Sequence, residues 1–225
     1  FIKPTLNSTM ADEKISGVTQ TETSSLIKTY DGEGKNIILA ITGTSGAIYG
    51  LRILRALLIN DFNVDLILSE YASYTMYKEC GIDLKPNVIQ TLFPEILILK
   101  STVSFHNNLD LKSEIFTNKF NCHGMVIAPC SMGILAGIAN GECKTLMEKS
   151  ADYGLSYSKP LVMVPRETPL NKIHLSNMIK VIEAGGKIVP AMPSFEYNPG
   201  DFNDLADHIA GKVMDILNMN NHPPA

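Results

Sequence analysis

Short apolar runs that stop at small polar residues recur along the chain, and most are followed by a stretch whose apolar positions return every three to four residues. The first run, Ile37-Ile38-Leu39-Ala40-Ile41, is apolar throughout and rich in β-branched residues, the pattern of a strand buried on both faces. Thr42-Gly43-Thr44-Ser45-Gly46 interrupts it, and from Ala47 to Leu58 the apolar residues recur at helical spacing. The same alternation predicts strands at 63–68, 124–128, 161–164 and 187–190, and helices over 71–79, 134–139, 143–157, 170–184 and 201–218. A further short strand is expected at 96–99, beyond an irregular stretch broken by Pro86 and Pro94. Residues 100–122 are polar and weakly periodic and yield no element. Strands alternating with helices imply an α/β domain, a doubly wound parallel sheet with helices on both faces.

Right-handed crossovers gather the loops after the strands on one edge of such a sheet, where ligands bind. A strand that turns through glycines into a helix aims backbone N–H groups and a positive helix end at one spot, where a phosphate can sit. The spacing here, G-x-x-G-x-x-x-G from Gly43, is neither the dinucleotide fingerprint nor the P-loop. A tight turn whose glycines only let the helix pack closely explains it equally well. Ser45 at the helix start either caps the helix or faces a ligand, and Ser69 after the second strand offers the same pair of roles. The turn Pro129-Cys130-Ser131-Met132-Gly133, leading into Ile134, is a second loop at that edge. Arg166 and Glu167, held between Pro165 and Pro169, look placed for function; the plain alternative is an exposed ion pair worth under about 1 kcal/mol. These loops fit a flavin mononucleotide, another nucleotide or a sugar phosphate.

At 225 residues with 45% hydrophobic content, the chain suits one domain with a real core. Its net charge of −4, with no Lys/Arg run, argues against nucleic acid or an anionic membrane as the main partner. No stretch approaches a membrane span, which points to the cytoplasm. The four cysteines form no C-x-x-C pair and read as reduced structural thiols, and the scattered histidines give no metal site. Residues 1–34 are polar and read as an arm on a neighbouring subunit or a leftover before Met10; 35–218 form the domain and 219–225 a short tail.

Three segments taken together resemble the flavin prenyltransferase (UbiX-like) family: Ile41 to Gly50, Pro129-Cys130-Ser131-Met132, and Val164 to Leu170 with Ile173 to Met178. The likeness runs from about Lys35 to Asn218. It implies an FMN-binding, Rossmann-like homo-oligomer, a dodecamer, that joins a dimethylallyl group from its monophosphate to N5 and C6 of reduced FMN for a partner decarboxylase. By position it implies that Gly43, Thr44 and Ser45 surround the flavin, with Ser45 near the reacting N5. Ser69 would hold the FMN phosphate, Ser131, Met132, Gly133 and Ile134 would line the ring, and Arg166 would contact it. Glu167 would be the acid/base, with Glu79 nearby. No metal enters the scheme. At the family's prenyl-phosphate positions this chain carries Lys149, Ser156, Glu196 and Lys212, with Tyr197 and Lys159 close in sequence. A carboxylate there repels phosphate, which leaves a second reading: a homologue that binds flavin as a carrier or assembly protein. A third, a cysteine-type FMN decarboxylase, lacks its expected asparagine after Ser131-Met132, and His174 lies on a helix that the likeness makes structural.

Overall fold

A computed structural model describes residues 35–94, 101–113, 115, 122–196 and 198–219. The run at 37–41 becomes β1 (Lys35–Ile41), followed by α1 (Ala47–Ile59), β2 (Phe62–Leu68), α2 (Glu70–Cys80), a 3-10 turn (Pro86–Val88) and the short α3 (Ile89–Leu92). Then come β3 (Val103–Asn107), β4 (Gly124–Cys130), α4 (Met132–Ala139), α5 (Leu146–Ser156), β5 (Leu161–Pro165), α6 (Lys172–Glu183), β6 (Lys187–Ile188) and α7 (Phe202–Met219). The strands form one six-stranded sheet in the order β3-β2-β1-β4-β5-β6. Every pairing is parallel, so all strand-to-helix loops leave from the same edge.

β1 sits centrally because its side chains feed two cores. Ile37, Leu39 and Ile41 face one cluster with Leu54, Leu57 and Leu58 of α1 and Ile209, Val213 and Leu217 of α7. Ile38 and Ala40 face the other, with Leu135 of α4 and Leu146, Met147 and Ala151 of α5. Ile37 to Ile41 are all fully buried, and each large one gains roughly 2 kcal/mol by leaving water. Arg52 and Asp207 join α1 to α7 through a two-pronged ion pair.

Helix starts follow the caps more closely than the apolar spacing. α5 begins at Leu146 instead of Cys143, because Thr145 caps it and Glu148 returns the bond to the Thr145 N–H at 2.9 Å. α6 begins after Asn171, which accepts from the His174 N–H at 2.9 Å, instead of at Leu170. β6 spans two residues, shorter than the expected 187–190. The expected strand at 96–99, the segment 1–34 and residues 220–225 lie outside the described residues.

β3 arises inside the stretch that yielded no element. It is an edge strand with half-exposed faces, so its residues, Val-Ser-Phe-His-Asn, show no clean period. Polar contacts hold it to β2: Asn63 Oδ1 accepts from the Thr102 N–H and hydroxyl, and His106 Nε2 lies 2.8 Å from Asp65. The other ring nitrogen of His106 meets the buried Ser113 hydroxyl at 2.9 Å.

Candidate active site

Three loops at the carboxyl edge are laced together by hydroxyls and backbone. Thr42, directly after β1 and 2% exposed, donates its hydroxyl to the Pro129 carbonyl at 2.7 Å and accepts from the Ser131 N–H at 3.0 Å. Thr44 donates to the Arg166 carbonyl at 3.3 Å, and the Arg166 N–H reaches the Cys130 carbonyl at 3.4 Å. Between the first two loops and the head of α2 lies a cleft of about 360 Å³ lined by Thr42, Gly43, Thr44, Ser69, Tyr71, Ser131 and Ile134.

Gly43 is required for this arrangement, since a Cβ there would stand 2.2 Å from the Tyr71 Cβ and 2.9 Å from the Tyr71 backbone carbon. The Thr75 hydroxyl fixes the same approach by donating to the Gly43 carbonyl at 2.9 Å. Two helices open onto the cleft. Ser69 caps α2, accepting from the Ala72 N–H at 3.2 Å, and Ser131 caps α4, accepting from the Ile134 N–H at 3.4 Å. Capping uses each oxygen as an acceptor and leaves its O–H proton to donate to a ligand. Two helix N-termini and two hydroxyls make a cradle suited to a phosphate.

The head of α1, which the glycine turn offered for a phosphate, instead carries an anion of the chain's own. Gly46 starts the helix at φ +106°, and the Gly46 and Ala47 N–H groups both donate to Glu79 Oε2, at 2.8 and 2.9 Å. Burial pushes the Glu79 carboxyl up. Hydrogen bonds from Ser45, Ala47 and Gly46, with the nearby Arg166 charge, outweigh that and hold it below its ordinary value. Tyr49, on the first turn of α1, is pushed up by burial while Arg166 pulls it down. Since the folded value for Glu79 is the lower one, its contribution to stability is present above the ordinary carboxylate range and is lost as pH falls through the depressed value. Glu79→Gln is therefore expected to flatten the loss of urea stability between about pH 7 and about pH 3, relative to the parent chain. Identical pH profiles for the two proteins would remove Glu79 from the head of α1.

Arg166 lies beside this cluster, its Cδ 3.1 Å from where a Gly46 Cβ would be, and its Nε is buried without a hydrogen-bond partner. A buried guanidinium N–H left unmatched fits an acceptor brought by a ligand. Glu167, next along, is exposed and accepts from the Thr168 N–H at 3.0 Å. Cys130 is fully buried and burial pushes its thiol far up, so it packs the loop instead of reacting.

The structure thus brings Gly43, Thr44, Ser69, Ser131 and Ile134 to one cleft and Ser45, Glu79 and Arg166 to its flank. Met132 and Gly133 form the first turn of α4. Lys149 donates to the Leu111 carbonyl at 2.9 Å, Lys212 is exposed on α7, and Glu196 is exposed in the loop before it; none of the three lines the cleft. Tyr197 lies outside the described residues. Lys159 precedes β5 and lines a separate recess at the opposite edge with His123, Pro160 and Lys187, so within one chain it does not stand in for a phosphate ligand at the cleft. Two lining residues escaped the sequence reading: Thr42, whose hydroxyl at the end of a buried strand was the available signal, and Tyr71, which read only as a helix residue.

Residues 25–216 match the family model described as Flavoprotein. The flavin prenyltransferase UbiX of Methanothermobacter thermautotrophicus is 41% identical over 187 residues, 83% of this chain and 92% of that protein. The chain belongs to the UbiX-like flavoprotein family. Two solved structures of UbiX-like proteins share its fold. AnUbiX (PadA1), in complex with FMN and dimethylallyl pyrophosphate, is 33% identical with a TM-score of 0.72, covering 86% of this chain and 98% of its own. A dodecameric FMN-dependent UbiX-like decarboxylase from Escherichia coli O157:H7 is 32% identical with a TM-score of 0.69, covering 80% of this chain and 93% of its own. Among the described residues of this UbiX-like chain, no helix is long and apolar enough to cross a membrane, and no group of three or more His, Cys, Asp or Glu side chains could hold a metal ion.

Proposed function

We propose that this chain is a flavin prenyltransferase, joining a dimethylallyl group from its monophosphate to N5 and C6 of reduced FMN. The likeness to AnUbiX, solved with FMN and dimethylallyl pyrophosphate, carries this reading, and the unmatched Arg166 Nε beside the cleft supports the binding of a ligand that brings an acceptor. Reduced FMN, when bound, would supply the electron-rich ring to which the prenyl group is joined, with phosphate as the leaving group.

The residues divide the remaining work. Ser69, at the head of α2, would receive the FMN phosphate, and Gly43, Thr44 and the Ser131–Ile134 turn would wall the ring. Arg166 would donate its unmatched Nε–H to the flavin. Ser45 donates its hydroxyl proton to Glu79, which would leave the serine oxygen as an acceptor toward the flavin. Glu167 serves as the acid/base that moves a proton at N5 or to the departing phosphate. Fixed helix dipoles and Arg166 stabilise the charges that develop as the C–O bond opens. Lys149, Lys212 and Glu196, the positions that the likeness offers to the prenyl phosphate, do not line the cleft within one chain, so no part in gripping that phosphate is assigned to them. Leu175, Ile179 and Ile182, spaced i, i+4 and i+7, give α6 an exposed apolar face, which suits a homo-oligomer such as the dodecamer of its relative. We place the protein in the cytoplasm, supplying a prenyl-FMN-dependent decarboxylase.

Anaerobic incubation with reduced FMN and dimethylallyl monophosphate, and in parallel the pyrophosphate, followed by mass spectrometry, tests the reaction. A flavin heavier by one five-carbon unit is expected with at least one donor. Flavin that binds but stays unmodified with both donors would instead make the chain a carrier.

A further inference from the structure

We infer that Thr42 is a positioning residue: its buried hydroxyl sets the spacing between the loops after β1 and β4, and so the width of the flavin cleft. The inference rests on the flavin reading for its functional consequence, but the clamp itself rests on geometry. Thr42 Oγ1 is a donor to the Pro129 carbonyl at 2.7 Å and an acceptor from the Ser131 N–H at 3.0 Å. One rigid, β-branched side chain thereby ties the end of β1 to the residue that caps α4. Both residues it joins to the cleft, Thr42 itself and Ser131, line that space.

The bridge is backed up at Pro129 but not at Ser131. The Thr42 N–H also reaches the Pro129 carbonyl, at 3.2 Å, so that oxygen keeps a partner if the hydroxyl goes. The Ser131 N–H has Thr42 Oγ1 as its acceptor. Removing the hydroxyl therefore unpairs the Ser131 N–H, whose residue's own oxygen fixes the first turn of α4, and leaves the backbone bond at Pro129 to hold this wall of the cleft to the end of β1. Valine at 42 keeps the shape of threonine while deleting both bonds; serine keeps both bonds while deleting a methyl group.

Two readouts are compared in Thr42→Val and Thr42→Ser: FMN affinity by equilibrium titration, and hydrogen exchange at the Ser131 amide in the flavin-free protein. The valine variant is expected to bind FMN at least about tenfold more weakly and to exchange the Ser131 amide faster. The serine variant is expected to stay within about twofold of the parent in affinity and to keep that amide protected. A purely structural role would lower the melting temperature of Thr42→Val and leave its affinity for FMN unchanged, which would overturn the inference. Unchanged exchange at Ser131 would also overturn it, because no clamp would then exist. If the parent chain takes up no FMN, the flavin reading fails, and the exchange measurement alone decides the clamp. Should the valine variant fail to fold, Thr42→Ala deletes the same hydroxyl and carries the same expectations.

Discussion

Arg166→Ala is expected to purify without flavin colour and to bind added FMN about 10- to 100-fold more weakly than the parent chain, as titration of flavin fluorescence would show. The reason is local. The Arg166 backbone is fixed by the Thr44 hydroxyl and the Cys130 carbonyl, bonds that alanine keeps, so the loop after β5 stays in place. What leaves is a guanidinium whose Nε is buried with no acceptor, a group that costs free energy in the flavin-free protein. Melting of the flavin-free variant should therefore be no worse than that of the parent, while affinity collapses. A variant that melts much lower yet binds FMN normally would show Arg166 to be part of the scaffold. A further sign is expected at Glu79: with the Arg166 charge gone, one of the effects that hold its carboxyl down disappears, and its titration should move upward.

Glu167→Gln is expected to leave FMN affinity within about twofold of the parent and to slow formation of the prenylated flavin at least about tenfold. Glutamine preserves the side-chain oxygen that accepts from the Thr168 N–H, so the turn ahead of Pro169 keeps its bond. It cannot take up or release a proton near neutral pH. An acid/base role thus predicts a loss in rate without a loss in binding, and a flattened pH profile for the remaining turnover. Equal rates would remove Glu167 from the chemistry. A parallel fall in affinity would assign it to binding.

How far the sequence carried depends on the range over which each feature is determined. β1 and α1 were legible because burial on both sides of a central strand makes five successive residues apolar, and the break at Thr42-Gly43 is abrupt. The cleft walls were legible for a similar reason, since Ser69 and Ser131 each stand where a strand hands over to a helix. β3 was not, because an edge strand held by Asn63, Asp65 and His106 needs no apolar period. Glu79 at the head of α1 was not legible either: it sits 33 residues from Gly46, and helical spacing within α2 says nothing of which other helix its side chain will meet. The Thr42 bridge to Pro129 spans 87 residues and depends on β1 and β4 being neighbours, which the order of strands in the chain conceals.

Equilibrium titration of the flavin-free protein with FMN, followed by quenching of flavin fluorescence, tests the central claim most directly. Saturable uptake of one FMN per chain, weakened in Arg166→Ala and retained in Glu167→Gln, is the predicted result. Folded protein that leaves flavin fluorescence unquenched at every concentration would contradict it.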